Sequence, residues 1–112
     1  MGAEIVLGAM IETARGVDNA DAICATPGLD FIFIGTGDLS LSLPDASPER
    51  LHAACQLVLR AAQAQGLPCG LFTSDVEAAA QARDEGYALA VVANDIGLAH
   101  AGFSLAMADT RP

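Results

Sequence analysis

Two acidic residues, Glu12 and Asp38, each stand at or shortly after the end of an apolar run. The first run covers residues 5–11 and the second covers residues 31–34. If the two runs are neighbouring parallel strands, both carboxylates lie at the carboxyl end of the sheet, where α/β folds build their sites. Hard cations such as Mg²⁺ bind one or two protein carboxylates together with water and substrate. The pattern indicates a candidate metal site, and the alternative is that each carboxylate only caps the helix after it.

A glycine-rich segment leads from the second run to Asp38. Its backbone N–H groups suit a carboxylate anion, so Gly35, Thr36, Gly37 and Asp38 are candidates for binding substrate. A cation beside them could accept the oxygens of a 2-oxo acid and stabilise the enolate formed when a carbon–carbon bond breaks. The segment lacks the last glycine of G-x-G-x-x-G and any Walker lysine, so it does not indicate a nucleotide site.

The other titratable residues favour structural roles. Asp95 is expected to cap the last helix, and His52 is expected at the solvated edge of a helix. The cysteines are odd in number, lack C-x-x-C spacing and have apolar neighbours, which predicts free buried thiols in a reducing compartment. They are Cys24, Cys55 and Cys69.

Apolar runs and helical patterns alternate four times along the chain. Strands are expected to begin near residues 5, 29, 68 and 88, each followed by a helix. This alternation predicts an α/β fold of four βα units in one domain, residues 1–112. The unbroken run at 31–34 indicates a central strand buried on both faces. Four units form either a small open sheet or half of an eight-stranded barrel, and periodicity leaves both possible.

Local signals place the helices. Thr13 is expected to cap the first, with Asp18 as a second cap, and a polar loop is expected through residues 44–46. Ser47 and Pro48 predict the start of the second helix, which Gly66 closes.

The third and fourth helices follow the later runs. Ser74 and Glu77 have the spacing of a capping box, which predicts a helix to about residue 86 with Val76 inward. The last helix is expected over residues 96–108, with an interruption at Gly102.

Composition limits the possible partners. The chain of 112 residues carries 14 acidic residues against 5 basic ones, a formal net charge of -9. Such a surface repels phosphate backbones, which excludes nucleic acid as an expected partner. No apolar run approaches the roughly 20 residues that span a bilayer, and the start lacks a basic signal region, so a cytoplasmic protein is expected. The 53% hydrophobic content suggests apolar surface covered by another subunit.

Two motifs together resemble those of a known family. They are Met10-Ile11-Glu12-Thr13-Ala14 and, some two dozen residues later, Gly35-Thr36-Gly37-Asp38-Leu39-Ser40. The chain resembles the HpcH/HpaI aldolases, which are class II, metal-dependent enzymes with a (β/α)₈ TIM barrel. The resemblance implies cleavage or formation of 4-hydroxy-2-oxo acids, with pyruvate and an aldehyde as partners. It also implies that Glu12 and Asp38 hold Mg²⁺, Mn²⁺ or Co²⁺, while the backbone of 35–38 receives the pyruvate carboxylate.

The resemblance covers only the carboxyl-terminal half of such a barrel, strands five to eight. The family's substrate-binding arginine and histidine-centred proton transfer belong to the missing strands, so no catalytic residue is assigned here. Three hypotheses follow. The chain is a half-barrel lyase that is incomplete alone, an inactive half-barrel that assembles with itself or an N-terminal half, or a small open α/β binding domain without metal chemistry.

Overall fold

Four short parallel strands form the frame of the molecule. The computed structural model describes residues 4–45 and 47–109. The strands pair side by side in the order of the chain, and every pair is parallel, as the alternation of strands and helices predicts. They are β1 (Gly8–Ile11), β2 (Phe31–Ile34), β3 (Cys69–Phe72) and β4 (Leu89–Val91).

Six helices connect and follow these strands. Helix α1 is capped by Thr13, whose hydroxyl accepts a hydrogen bond from Gly16 N at 2.9 Å. The long helix α4 begins with the predicted Ser47 cap, which accepts from Arg50 N at 3.3 Å. The helices are α1 (Ala14–Asp18), α2 (Ala20–Cys24), α3 (Thr36–Ser42), α4 (Pro48–Ala64), α5 (Val76–Glu85) and α6 (Asp95–Asp109).

The core lies on one side of the sheet only. Ile32 and Ile34 of β2 are fully buried beneath α2 and α4, and Val58 of α4 packs into the same core. The intervening Phe31 and Phe33 are only half-buried. The prediction of a strand buried on both faces is therefore wrong, because no described element covers the second face.

The first strand is shorter than predicted. It begins at Gly8, and residues 5–7 are exposed. Asp30 N donates to Leu7 O at 2.8 Å, while Leu7 N donates to the Asp30 carboxylate at 2.7 Å. Leu7 N donates to the Asp30 side chain and not to a backbone carbonyl, so the regular pairing of β1 with β2 starts at Gly8.

Four helix predictions are corrected by the structure. Asp75, not Ser74, caps α5, because its carboxylate accepts from Ala78 N at 2.8 Å. Val76 is exposed rather than inward, and Ala82 is the buried residue of α5. Asp18 is the last residue of α1 rather than a cap, and α6 runs unbroken through Gly102.

Helix α6 differs from the other helices in its surroundings. Each of its side chains that the structure describes is exposed, although many are apolar. Ile96, Phe103 and Leu105 are prominent examples. A helix that is apolar on all sides normally belongs inside a larger assembly. Within the described residues, no helix is both long and apolar enough to cross a bilayer.

The cysteines are free and buried, as predicted. Burial raises the pKa of the Cys55 thiol to about 11, helped by the nearby Glu85 carboxylate. Burial likewise raises the pKa of Cys69 to about 12, with smaller effects from Cys24 and Cys55. Because these pKa values are raised, the stability linked to the neutral thiols is complete below pH 9 and is lost as the pH rises through 11 to 12.

The buried thiols should resist thiol–disulfide exchange in the folded chain. A thiol with a pKa of about 11 is ionised to only about 0.1% at pH 8, and the thiolate is the reactive form. We expect a chromogenic disulfide reagent at pH 8 to react with Cys55 and Cys69 at least about 100-fold more slowly before than after addition of denaturant. Equal rates in the two conditions would contradict the burial of these side chains.

Candidate metal and carboxylate site

A cleft of about 610 Å³ opens at the carboxyl ends of the strands. Each of the four strands contributes a residue at its end or just beyond it. The sequence-predicted residues all line this one cleft, together with several apolar side chains. The lining residues are Met10, Glu12, Phe33, Gly35, Thr36, Gly37, Asp38, Ser40, Leu41, Phe72 and Asn94.

Glu12 stands in the cleft because it directly follows the last, buried residue of β1. Its carboxylate packs against Gly35 so closely that a Cβ atom added to Gly35 would lie 3.0 Å from Glu12 Oε2. Gly35 N also donates to Ile11 O at 3.1 Å, which holds the loop after β2 against the end of β1. A side chain at 35 would therefore displace the Glu12 side chain by a few tenths of an ångström.

Asp38 is carried by α3, a helix that the sequence analysis did not predict. The helix starts immediately after β2, and Asp38 lies exposed in its first turn. Its N-cap is Gly35, which has no side chain to accept from the first backbone N–H groups. The N–H groups of Thr36, Gly37 and Asp38 have no partners inside the helix, so they are available to an anion in the cleft. The N–H of Gly35 is not available as predicted, because it donates to Ile11 O.

Helix α3 is fixed by contacts on several sides. Leu39 is fully buried in the core. The Thr36 hydroxyl donates to Phe72 O at 3.0 Å, and Ala14 N donates to the Ser42 hydroxyl at 2.8 Å. These bonds tie α3 to β3 and to α1, so the loop and Asp38 are positioned by three neighbouring βα units.

Asn94 is a cleft residue that the sequence analysis missed. It caps α6, because its side-chain oxygen accepts from Gly97 N at 2.6 Å. Asp95, which was expected to be that cap, is the first residue of α6 and accepts from Ile96 N instead. A polar residue directly after the last apolar run was the available signal.

The charges around the cleft are acidic. Glu12 and Asp38 are its ionisable residues, and none of the described lining residues is Arg, Lys or His. The described residues contain no group of three His, Cys, Asp or Glu side chains arranged for a metal ion. His52 lies elsewhere, on the exposed side of α4 as expected, 3.6 Å from Glu85. The arginine and histidine roles remain unassigned.

The fold and the cleft define the class of protein. A parallel sheet, helices on one side of it and carboxylates beyond the strand ends are the arrangement of (β/α)-type enzymes. The chain belongs to the HpcH/HpaI aldolase/citrate lyase family, whose model matches residues 1–101.

Individual relatives agree with this assignment. The hydroxypyruvate/pyruvate aldolase of Paraburkholderia phytofirmans is 37% identical over 97 residues, which are 84% of this chain and 37% of that protein. The 5-keto-4-deoxy-D-glucarate aldolase of Salmonella arizonae is 40% identical over 104 residues, 89% of this chain and 40% of that protein. The chain thus spans about two fifths of the length of these relatives.

A solved structure shows the same fold. The HpcH/HpaI aldolase/citrate lyase family protein from Burkholderia cenocepacia superposes with a TM-score of 0.86 at 34% identity. The match covers 96% of this chain and 43% of that one. The four βα units of this chain therefore correspond to less than half of that structure.

The two glycines of the loop should respond oppositely to alanine. Gly35→Ala places a Cβ 3.0 Å from Glu12 Oε2 and 3.2 Å from Met10 Sδ, whereas a Cβ at Gly37 meets nothing within 4 Å. We expect Gly37→Ala to raise the free energy of unfolding by about 0.5–1 kcal/mol, because glycine weakens a helix. We expect Gly35→Ala to lower it by about 1 kcal/mol or more. Urea titration measures both, and a gain in stability for Gly35→Ala would contradict the close packing.

Proposed function

We propose that the chain is the carboxyl-terminal half, strands five to eight, of a metal-dependent aldolase barrel. The reaction is carbon–carbon cleavage or formation in 4-hydroxy-2-oxo acids, with pyruvate released or used. One observation supports it above all: Glu12, Asp38 and the uncapped start of α3 line a single cleft. The relatives from Paraburkholderia phytofirmans and Salmonella arizonae are both aldolases, which supports the same reaction class.

The donor atoms of the cleft fit a divalent cation. Two carboxylates, those of Glu12 and Asp38, are hard oxygen donors, and no thiol or imidazole competes among the described lining residues. Mg²⁺ commonly uses one or two carboxylates and leaves its other positions to water and substrate. Glu12 and Asp38 would hold Mg²⁺, Mn²⁺ or Co²⁺ here. Such a cation supplies positive charge that favours the negative charge developing on substrate oxygen.

The other cleft residues bind and orient the substrate. The backbone N–H groups of 36–38, at the start of α3, would hold the carboxylate of pyruvate. Met10, Phe33 and Phe72 form apolar walls of the cleft. By the family resemblance, the arginine and the proton-transferring residue belong to the amino-terminal half of the barrel, so we expect full turnover only when such a half is present.

Pyruvate binding tests the proposal without requiring turnover. We expect pyruvate to bind to this chain in the presence of Mn²⁺ and to bind at least about tenfold more weakly after the metal is chelated. Titration calorimetry with and without chelator measures the difference. Exchange of pyruvate methyl protons with solvent, followed by NMR, then reports whether the chain alone carries a base. Equal pyruvate affinity with and without metal would contradict the proposal.

A second candidate is a half-barrel that functions by assembly and lacks activity. The outer strands β1 and β4 each pair on one side only within the described residues. Unpaired strand edges favour pairing with another chain. Exposed apolar side chains on the uncovered face, such as Met10 and Leu89, and the exposed α6 point the same way. The partner would be a second copy or an N-terminal half-barrel, and a strictly monomeric species by light scattering at micromolar concentration would count against it.

A further inference from the structure

A second cavity, separate from the aldolase cleft, lies on the helix side of the sheet. It has a volume of about 340 Å³ and is bounded by α4, α5 and β3. This volume corresponds to about eleven water molecules in the liquid, enough for a small organic molecule. Thr36 and Phe72 border both spaces, but Glu12 and Asp38 do not line this one.

Tyr87 lines this cavity, and its hydroxyl is the polar group of interest. Tyr87 is only 6% exposed, yet its hydroxyl makes no hydrogen bond with any described residue. The residue lines the cavity, and the hydroxyl retains its contact with that space. Burial, with Cys55, Cys69 and Glu85 nearby, raises the pKa of the phenol, so the hydroxyl stays protonated. The hydroxyl is open to the cavity, where a ligand group or water can bond to it.

The mouth of the cavity carries a carboxylate. The Glu85 side chain is 25% exposed, accepts from Gln81 Nε2 at 3.2 Å and lies 3.6 Å from His52 Nε2. A carboxylate has about four acceptor positions, so two remain available. Glu85 is the carboxylate among the described lining residues, and none of them is Arg or Lys. With a net charge of -9 on the chain, the cavity attracts cations and repels anions.

The rest of the wall is mainly apolar. Leu51 and Cys55 contribute from α4, Leu71 from β3 and Ala82 from α5. A ligand that satisfies the whole cavity therefore has an apolar body and a cationic hydrogen-bond donor. The combination excludes a free inorganic cation, which would leave the apolar wall uncovered.

From the geometry we infer that this cavity binds a small organic ammonium compound, with its ammonium group on Glu85 and its body beside Tyr87. The site is independent of the proposed aldolase chemistry. It would give the chain a second ligand site beside the candidate metal cleft, with Thr36 and Phe72 bordering both.

Three matched probes test the inference on the complete chain. Benzylamine, benzyl alcohol and benzoate have similar bodies but a positive, neutral and negative head. We expect benzylamine to produce saturable amide shifts over residues 81–87 in ¹H–¹⁵N NMR spectra. We expect benzyl alcohol to bind about tenfold more weakly and benzoate not to bind, because hydrogen bonds to a charged group are the stronger ones.

Variants separate this site from general surface charge. Glu85→Gln should weaken benzylamine binding about tenfold, whereas Asp84→Asn, an equal charge change at an exposed neighbour, should leave it within about twofold. Tyr87→Phe tests the hydroxyl separately and should also weaken it. Glu12→Gln should leave benzylamine binding intact, whatever its effect on metal.

Several results would overturn the inference. They are equal affinity for benzylamine and benzoate, equal effects of Glu85→Gln and Asp84→Asn, or the absence of saturable shifts. A spectrum without dispersed amide signals would also overturn it, because an unfolded chain has no such cavity.

Discussion

Glu12→Gln should lower the affinity of the chain for Mn²⁺ about 100-fold or more. The change keeps the shape of the side chain but removes its charge, and the cleft then retains Asp38 as its carboxylate among the described lining residues. Loss of an outer partner of a metal ligand already costs about 10- to 100-fold in affinity, so loss of a ligand costs at least as much. Free Mn²⁺, measured by electron paramagnetic resonance during titration, gives the dissociation constant.

Two further variants make this experiment specific. Asp38→Asn should produce a loss of similar size, since both carboxylates are assigned to one cation. Glu77→Gln removes an equal charge from an exposed position in the first turn of α5 and should change the affinity by less than about threefold. Unchanged Mn²⁺ affinity in Glu12→Gln would reject the metal site.

Ile32→Ala should lower the free energy of unfolding by about 2–5 kcal/mol. Ile32 is 0% exposed in the middle of β2, so the change removes buried methyl and methylene groups and leaves a cavity beneath the helices. Because small domains have little stability in reserve, the variant should be largely unfolded at modest urea concentrations. Far-ultraviolet circular dichroism during urea titration measures the loss.

An exposed residue provides the control for this change. Leu41 on α3 is 84% exposed, so Leu41→Ala should shift the free energy of unfolding by no more than about 0.5 kcal/mol. If both variants lost the same stability, the core would not lie where the structure places it.

The sequence was sufficient for the strand order and most of the core. The run at 31–34 became β2 with those bounds, and the strand expected to begin near residue 68 became β3. The second helix, predicted from Ser47 to Gly66, became α4. These features depend on local periodicity and on the right-handed connection of parallel strands, which a single sequence contains.

Other features depended on distant contacts. Helix α3 was missed because its start has a glycine instead of a capping side chain, and its fixation comes from Phe72 and Ala14, far away in sequence. The half-burial of Phe31 and Phe33 depends on what covers the second face of the sheet. An apolar run alone does not reveal whether that cover lies within the same chain.

The residues of the candidate site were found more readily than its border. Glu12, the glycine loop and Asp38 carry strong local motifs, and all of them line the cleft. Asn94 does not, since it reaches the cleft only through the pairing of β4 beside β3. The place of Asn94 in the cleft wall follows from the sheet topology and not from a local sequence motif.

Asn94 belongs at once to the cleft wall and to the first turn of α6. A partner protein that binds the exposed α6 and rotates it would either displace the Asn94 amide or break its hydrogen bond to Gly97. Movement of α6 would thereby change the wall of the cleft at Asn94.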